Sequence, residues 1–193
     1  MLYLTATPDE QLLKSCQVLK LFCRPHGHPL PVPAVKQMFV LPSVLFLLKW
    51  CHIRALKKIP FLVFVPTIQL ANHLYYAFRY RLNVEVCTSK TEQKDQVIQR
   101  FKEHQIQGLI CTTVLERGVT FAGVDVVVWH ADHSVFTTAS LIQIAGRVGR
   151  KLSFPKGDCL FLSFSKSETV DRCVRMIEEA NREKVSSLQQ DSA

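Results

Sequence analysis

The chain has 193 residues and a formal net charge of +8, with 48% hydrophobic and 21% charged residues. A chain of this length supports one well-buried domain and is marginal for two. No apolar run approaches the roughly 20 residues that a membrane-spanning helix needs. The segment that starts at Met1 has neither the basic leader nor the small-residue cleavage site of a signal peptide. The composition therefore excludes an integral membrane protein and favours a cytoplasmic one.

The seven cysteines give no support to a disulfide framework or a zinc ribbon. Their number is odd, and no two of them form a Cys-x-x-Cys pair. Most lie in apolar segments, where thiols are buried and unreactive. His26 and His28 have no acid or cysteine at ligand spacing, so we interpret them as loop residues and predict no metal site in this chain.

Positive charge is concentrated in one part of the chain. From Gln11 to Val84 there is no Asp or Glu and there are ten Lys or Arg, whereas the remaining residues are slightly acidic. Such a block predicts a polyanionic ligand, most economically nucleic acid. A basic face that meets an acidic protein is the alternative. We take Lys49, Arg54 and Lys57 as candidate DNA contacts within this block.

Strands and helices alternate along the chain, which predicts a mostly parallel α/β sheet covered on both faces. The run Phe61-Leu62-Val63-Phe64-Val65, between two prolines, is typical of a strand buried on both sides. Ser165 and Glu168 have capping-box spacing before the last helix, and we expect a frayed polar tail at 186–193. The predicted strands are 2–7, 19–23, 35–41, 61–65, 84–87, 108–112, 124–129 and 159–164, and the predicted helices begin at 8–10 and then cover 43–58, 68–81, 92–104, 138–149 and 168–184.

Polar residues follow several of these strands. Thr67 comes after the strand at 61–65, and Thr112 and Thr113 come at the end of the strand at 108–112, followed by Arg117 and Gly118. Ligands of parallel sheets gather at the carboxyl ends of the strands. Hydroxyls and glycine amides there are good donors to a phosphate backbone, although each hydroxyl taken alone is also typical of a turn.

The segment Gln143-Ile144-Ala145-Gly146-Arg147-Val148-Gly149-Arg150 carries two arginines three residues apart. Guanidinium groups keep their charge and match phosphate oxygens bidentately. A surface helix end with two arginines is the alternative reading of the segment alone.

Four segments in order resemble motifs III, IV, V and VI of superfamily-two helicases. They are Thr5-Ala6-Thr7-Pro8, Phe64-Val65-Pro66-Thr67, the segment from Cys111 to Phe121, and Gln143 to Arg150. Within that superfamily, the segment Thr113 to Phe121, His130-Ala131-Asp132-His133 and the form of the last motif are similar to the late-competence ComFA proteins. The primosomal helicase PriA is the nearest competitor.

The resemblance implies a RecA-like three-layer fold and the second of two lobes that enclose ATP. Arg150 is then the arginine finger with Arg147 beside it. Gln143 contacts the nucleotide or relays between the two sites, and Arg117 and Gly118 lie near the lobe interface. Thr67, Thr112 and Thr113 contact the DNA backbone, Thr5 and Thr7 couple the nucleotide to the DNA, and His130 to His133 relay between the two. Trp129 is expected in packing rather than under a base.

Neither a phosphate-binding G-x-x-x-x-G-K-[ST] loop nor an Asp-Glu magnesium motif occurs in the sequence. We therefore expect a piece of a longer protein: residues 1–8 as the last strand of a first lobe, 9–185 as the second lobe, and 186–193 as a disordered tail. ATP and Mg²⁺ are expected to be bound mainly by the first lobe, and the zinc site of ComFA-type proteins is expected upstream. Alone, the chain is expected to hydrolyse no ATP.

The expected function is that of the motor lobe of a single-stranded DNA translocase in competence. Its expected partners are single-stranded DNA, the first lobe and other competence proteins, at the inner face of the membrane. Two alternatives stay open: a PriA-type replication-restart helicase lobe, and a non-catalytic module that binds nucleic acid or protein.

Overall fold

The computed structural model describes residues 28–113, 121–149 and 154–190, with side chains described as far as Arg182. The strand predicted at 2–7, the helix start at 8–10, the extended piece at 19–23 and the proposed remnant of a first lobe at 1–8 lie outside these residues.

Within the described residues, six strands form one sheet and every pairing is parallel. The order across the sheet is β1-β6-β5-β2-β4-β3, so β2 lies between β5 and β4. The strands are β1 (Ala34–Gln37), β2 (Phe61–Phe64), β3 (Val84–Cys87), β4 (Gly108–Cys111), β5 (Asp125–Trp129) and β6 (Cys159–Ser163). The helices are α1 (Val40–Leu56), α2 (Ile68–Phe78), α3 (Lys94–Lys102), α4 (Thr138–Ala145) and α5 (Glu168–Gln190).

The sheet has a helical layer on each face. Successive side chains of a strand point to opposite faces, and in β2 all four side chains are buried, with Leu62 and Phe64 in one core and Phe61 and Val63 in the other. Helices α3, α4 and α5 bury their apolar side chains in the first core. Helices α1 and α2 bury theirs in the second. The predicted RecA-like three-layer α/β architecture is confirmed.

The first helix begins earlier than the sequence predicted. We expected a strand at 35–41 and a helix from 43, but β1 ends at Gln37 and α1 begins at Val40. Pro42 falls in the first turn of α1, where a backbone N–H has no partner within the helix, so proline is tolerated there. The apolar run before Pro42 was therefore read as strand although its end already belongs to the helix.

Two features near the last helix also differ from the prediction. The hydroxyl of Ser167 accepts the N–H of Val170 at 3.4 Å, whereas Ser165 donates its hydroxyl to Asp132, so Ser165 does not cap α5. Helix α5 continues to Gln190, so residues 186–190 are helical where we expected a disordered tail. No helix among the described residues is both long and apolar enough to cross a membrane.

Candidate nucleotide and nucleic-acid site

The carboxyl ends of β2 and β4 bring two predicted contact residues together. The two strands are neighbours, and their pairing continues past β2, because the N–H of Val65 donates to the carbonyl of Cys111 at 2.9 Å. Thr112 comes directly after β4, and Thr67 comes after β2 with Val65 and Pro66 between them. The sheet therefore places both hydroxyl residues at one edge, as the sequence predicted; their contact with DNA stays a prediction.

The threonines at this edge differ in their hydrogen bonds and in their exposure. Thr67 is the N-cap of α2, and its Oγ1 accepts the N–H of Leu70 at 3.2 Å. Thr112 is 7% exposed and Thr113 is half-buried. The sequence reading missed the neighbouring end of β3, where buried Thr88 is followed by exposed Lys90. The signal was present, since a Thr-Ser-Lys run follows an apolar strand there.

The segment after β5 is anchored to the segment after β6. Asp132 accepts the backbone N–H groups of Phe164 and Ser165 at 3.0 and 2.8 Å and the Ser165 hydroxyl at 2.7 Å. His130 has a left-handed φ of 62°, and its ring stacks on Phe164 with centroids 4.4 Å apart. Trp129 is buried and donates to Ser43 Oγ at 2.9 Å, so the predicted packing role is confirmed.

These contacts shift two pKa values in the same direction for different reasons. Burial lowers the pKa of His130, Asp132 opposes this effect, and His133 adds to it, because burial and positive neighbours disfavour the charged imidazole. Burial alone raises the pKa of Asp132, but the hydrogen bonds from Ser165 and Phe164 outweigh it and hold that pKa below its usual value. The carboxylate of Asp132 is therefore a fixed anchor for the two loops.

Helix α4 leads into the arginine segment. A capping box starts it: Thr137 Oγ1 accepts the N–H of Ser140 at 3.1 Å, and Ser140 Oγ accepts the N–H of Thr137 at 3.0 Å. The helix ends at Ala145, four residues before the predicted end. Gly149 has a φ of 63°, which a residue with a Cβ rarely adopts, so glycine suits this position after Arg147.

Arg147 lies inside the protein. It is 3% exposed, and the preceding helix packs on the core that contains Cys111. Burial raises the pKa of the Cys111 thiol well above its usual range, the neighbouring Cys87 adds to this, and the positive charge of Arg147 opposes it. The guanidinium therefore lies within electrostatic reach of the carboxyl end of β4. An anion reaches it only if neighbouring residues move.

Other predicted nucleotide residues are placed only in part. Gln143 is half-buried on α4. Arg150, Arg117, Gly118, Thr5 and Thr7 lie outside the described residues, so their predicted roles stay predictions.

The candidate basic contacts on α1 separate into two kinds. Lys49 is exposed, and so is Lys57, which caps the helix. Arg54 is 12% exposed at its side chain; its Nε lies 3.1 Å from Asp125 Oδ2, and its Nη2 pairs with Asp158. These contacts lie at the amino ends of β5 and β6, opposite the threonine edge. We therefore withdraw Arg54 from the predicted DNA contacts, since its charge is used within the fold.

Comparison with known proteins identifies the family. The helicase conserved C-terminal domain matches residues 44–151, which is more than half of the chain. The chain belongs to this helicase C-terminal domain family. The matched region runs from α1 through the arginine segment, so the predicted second lobe of a superfamily-two helicase is confirmed.

Two competence proteins are similar to almost the whole of this helicase lobe. The competence protein ComFA of Streptococcus pneumoniae is 35% identical over 94% of this chain and 46% of its own length. The competence protein ComFA of Bacillus subtilis is 28% identical over 94% of this chain and 42% of its own length. The helicase lobe thus spans less than half the length of the curated relatives that it matches.

A solved structure confirms the fold. Yeast Dbp5 bound to RNA and ADP BeF3 superposes with a TM-score of 0.62 at 20% identity, over 91% of this chain and 47% of that chain. At this identity the likeness supports the RecA-like architecture of the helicase lobe and nothing beyond it.

Proposed function

We propose that this chain is the C-terminal motor lobe of an ATP-dependent single-stranded DNA translocase that acts in DNA uptake during competence. The ComFA relatives support the pathway, because they are named as competence proteins and match nearly the whole chain. In this proposal the protein works in the cytoplasm at the inner face of the membrane, with other competence proteins as partners, and the zinc site of such proteins lies upstream of this chain.

One observation carries the motor function. The positive charge of Arg147 acts on the buried Cys111 thiol at the carboxyl end of β4, and Thr112 and Thr113 continue directly from that end. A residue proposed to sense phosphate is thus within electrostatic reach of the strand end that carries residues proposed to hold DNA. A change in nucleotide state that moves one of them is therefore transmitted to the other over a short distance.

The arginines proposed here suit a triphosphate that is held mainly by the first lobe. Two guanidiniums, on Arg147 and Arg150, suit phosphate oxygens, and a guanidinium screened from bulk water interacts more strongly with an anion that reaches it. Gln143, Arg117 and Gly118 complete the nucleotide side in this proposal. Among the described residues, no three His, Cys, Asp or Glu cluster as a metal site. The proposal assigns Mg²⁺ to the nucleotide and the first lobe.

The proposed contacts with nucleic acid are made by hydroxyl groups and by exposed lysines. Thr67, Thr112 and Thr113 offer hydroxyls to the strand backbone at the carboxyl edge. Lys49 on α1, and Lys57 at its amino-edge end, offer charge that is independent of sequence. In this proposal Thr5 and Thr7 couple the state of the nucleotide to the contacts with DNA.

The test is ATP turnover by the full-length protein that contains this chain, with and without single-stranded DNA. We expect DNA-stimulated turnover, and we expect Arg150→Ala to lower it by about 10³-fold or more, because an arginine finger stabilises charge developing on the transferred phosphoryl group. Arg175→Ala, which removes an exposed charge from α5, is the matched control and should retain turnover. Full turnover by Arg150→Ala would contradict the finger assignment.

A non-catalytic binding module is the second candidate, and the burial of Arg147 favours it. A guanidinium that is 3% exposed is not presented to a partner lobe in this state. That candidate predicts strand binding without any ATP turnover by the full-length protein. A PriA-type replication-restart helicase differs from the first proposal in pathway alone, and preferential binding of forked DNA over plain single strands would favour it.

A further inference from the structure

A cluster of three tyrosines and one arginine lies at the end of α2. Arg79 places its guanidinium carbon 4.7 Å from the ring centre of Tyr80, 5.2 Å from that of Tyr76 and 6.0 Å from that of Tyr75. The guanidinium also donates to the Tyr80 hydroxyl. We call Tyr75, Tyr76, Arg79 and Tyr80 the tyrosine platform.

The platform presents aromatic surface to solvent. Tyr80 is 79% exposed and Tyr76 is 60% exposed, and Arg79 is also exposed. Tyrosine rings at such exposure are not explained by packing, because the buried side of α2 is made by Ala71, Leu74 and Phe78. One guanidinium lies within 6.0 Å of all three ring centres, while most of the surface of Tyr76 and Tyr80 stays exposed.

The surroundings of the platform are basic. In a parallel sheet each crossing helix ends at the amino edge, so the loops after α1 and α2 both lie there. Phe61 donates its N–H to the carbonyl of Gln107, and the N–H of Gln107 donates to the carbonyl of Asn83, so the two loops flank the same residue. The loop residues Lys57, Lys58 and Arg81 are exposed.

Two carboxylates near this edge are paired within the fold. No Asp or Glu occurs from Gln11 to Val84. Glu85, which follows, pairs with Arg100, and Asp125 pairs with Arg54. Neither of these two carboxylates is therefore free to cancel the positive charge around the platform.

We propose that the tyrosine platform binds a single-stranded nucleic acid by stacking bases on Tyr76 and Tyr80 while the surrounding lysines and arginines contact its phosphates. Flat faces combined with positive charge suit bases joined by phosphates, since every base has a stacking face. Because tyrosine and arginine also anchor protein interfaces, the experiment below compares a strand that carries bases with an abasic strand. This inference rests on the proposed function, because it assumes that the lobe handles a strand, and it adds a contact surface at the edge opposite Thr67 and Thr112.

The experiment measures binding of a labelled oligothymidine of about 15 nucleotides to the 193-residue chain by fluorescence anisotropy, without nucleotide, in about 50 mM salt. An abasic strand of the same length and charge is measured beside it. The variants are Tyr76→Ala/Tyr80→Ala and the matched control Tyr76→Phe/Tyr80→Phe, which keeps both rings. Because these side chains are exposed, the thermal unfolding midpoints of the variants should stay near that of the parent.

The alanine variant should bind oligothymidine about tenfold more weakly than the parent, and the phenylalanine variant should bind within about twofold of it. The abasic strand should bind the parent and the alanine variant equally. Equal binding of oligothymidine to parent and alanine variant would overturn the platform, as would an equal loss for the abasic strand, which would mark a general effect of charge or fold. If the alanine variant fails to fold, Tyr80→Trp provides the readout: quenching of its exposed indole by oligothymidine supports the platform, and unchanged fluorescence overturns it.

The two proposals fail separately. ATP turnover by the full-length protein tests the motor function and does not involve the platform variants. Binding of oligothymidine by the parent together with unaffected binding by the alanine variant removes the platform and leaves the motor function in place.

Discussion

Arg54 shows how a charge that suggests a ligand can serve the fold. Its guanidinium carbon lies 3.8 Å from the ring centre of Trp50, and its two ion pairs join α1 to the amino ends of β5 and β6. Asp125 is 7% exposed at its side chain, so it depends on this partner. Burial raises the pKa of Asp125, and Arg54 and the N–H of Asp158 only partly offset that effect.

Replacing Arg54 by alanine should therefore destabilise the protein. Arg54→Ala leaves a buried carboxylate without its cation, which costs about 3 kcal/mol in the free energy of unfolding at neutral pH. The attraction between Arg54 and ionised Asp125 fixes the sign of the pH dependence: the loss should shrink as acid protonates Asp125, because a neutral carboxyl no longer needs the partner. Urea denaturation at several pH values measures both effects. Lys57→Ala, at an exposed site on the same helix, should change stability by less than about 0.5 kcal/mol; equal losses for the two variants would contradict this role of Arg54.

The stabilisation that depends on Asp132 is also lost in acid, but at a lower pH than that of the Arg54–Asp125 pair, because the pKa of Asp132 is lowered and that of Asp125 is raised. The hydrogen bonds of Asp132 hold its folded-state pKa below the usual value, so its stabilisation is present above the unfolded-state pKa and is lost as the pH falls through the folded one. Asp132→Asn should lower the free energy of unfolding by about 2 kcal/mol at pH 7. The asparagine NH2 group cannot accept a hydrogen bond, so donors that the carboxylate satisfied lose their acceptor. The difference from the parent should begin to shrink near the unfolded-state pKa of about 4 and should vanish only below the lower folded-state pKa. Glu179→Gln, exposed on α5, should show no such trend in the same titration.

At the scale of elements, α1 is apolar on both sides but is buried on one. Leu47 is fully buried in the core between α1 and the sheet, whereas Leu45, two residues earlier, is 65% exposed. Leu47→Ala should cost about 2–5 kcal/mol, and Leu45→Ala should cost less than about 0.5 kcal/mol. Denaturant midpoints of the two variants measure this. Similar losses at both sites would mean that the exposed side of α1 is covered in solution.

The contrast between β2 and β1 explains which elements the sequence could predict. The residues of β2 are apolar throughout because both faces of a central parallel strand are buried, and proline bounds them on each side. All four residues of β1, at the sheet edge, are exposed, so no burial pattern marked where that strand ends. The hydrophobic pattern therefore predicted well which segments are central strands, and predicted poorly where the edge strand β1 ends.

At the same scale, parts of the site were predictable and others were not. Thr67 and Thr112 could be placed together because parallel strands end at one edge. The pairing of Arg54 with Asp125 joins residues 71 positions apart, and no local spacing encodes it. The tyrosine platform could have been found, since Tyr75, Tyr76, Arg79 and Tyr80 fall at helix spacing, but a helix pattern alone does not say which face is exposed.

On the scale of the whole molecule, the proposed contacts occupy two edges of one sheet. Thr67 and Thr112 lie at the carboxyl edge, near Arg147, and the tyrosine platform lies at the amino edge. These two edges are the opposite ends of β-strands that are four or five residues long. A DNA molecule that contacts both edges must therefore run along one face of the lobe. The platform is therefore expected to act on strand capture and not on phosphoryl transfer.

This separation predicts distinct kinetic effects in the full-length protein. Tyr76→Ala/Tyr80→Ala should raise the concentration of single-stranded DNA needed for half-maximal ATP turnover by about tenfold, because it weakens capture of the strand. Arg150→Ala should instead lower the turnover number at saturating DNA by about 10³-fold or more, because it removes charge stabilisation from the transition state. Titration of DNA at saturating ATP distinguishes the two effects. If the tyrosine variant lowered the turnover number and left the half-maximal DNA concentration unchanged, the platform would belong to the coupling path, and the assignment of separate roles to the two edges would be wrong.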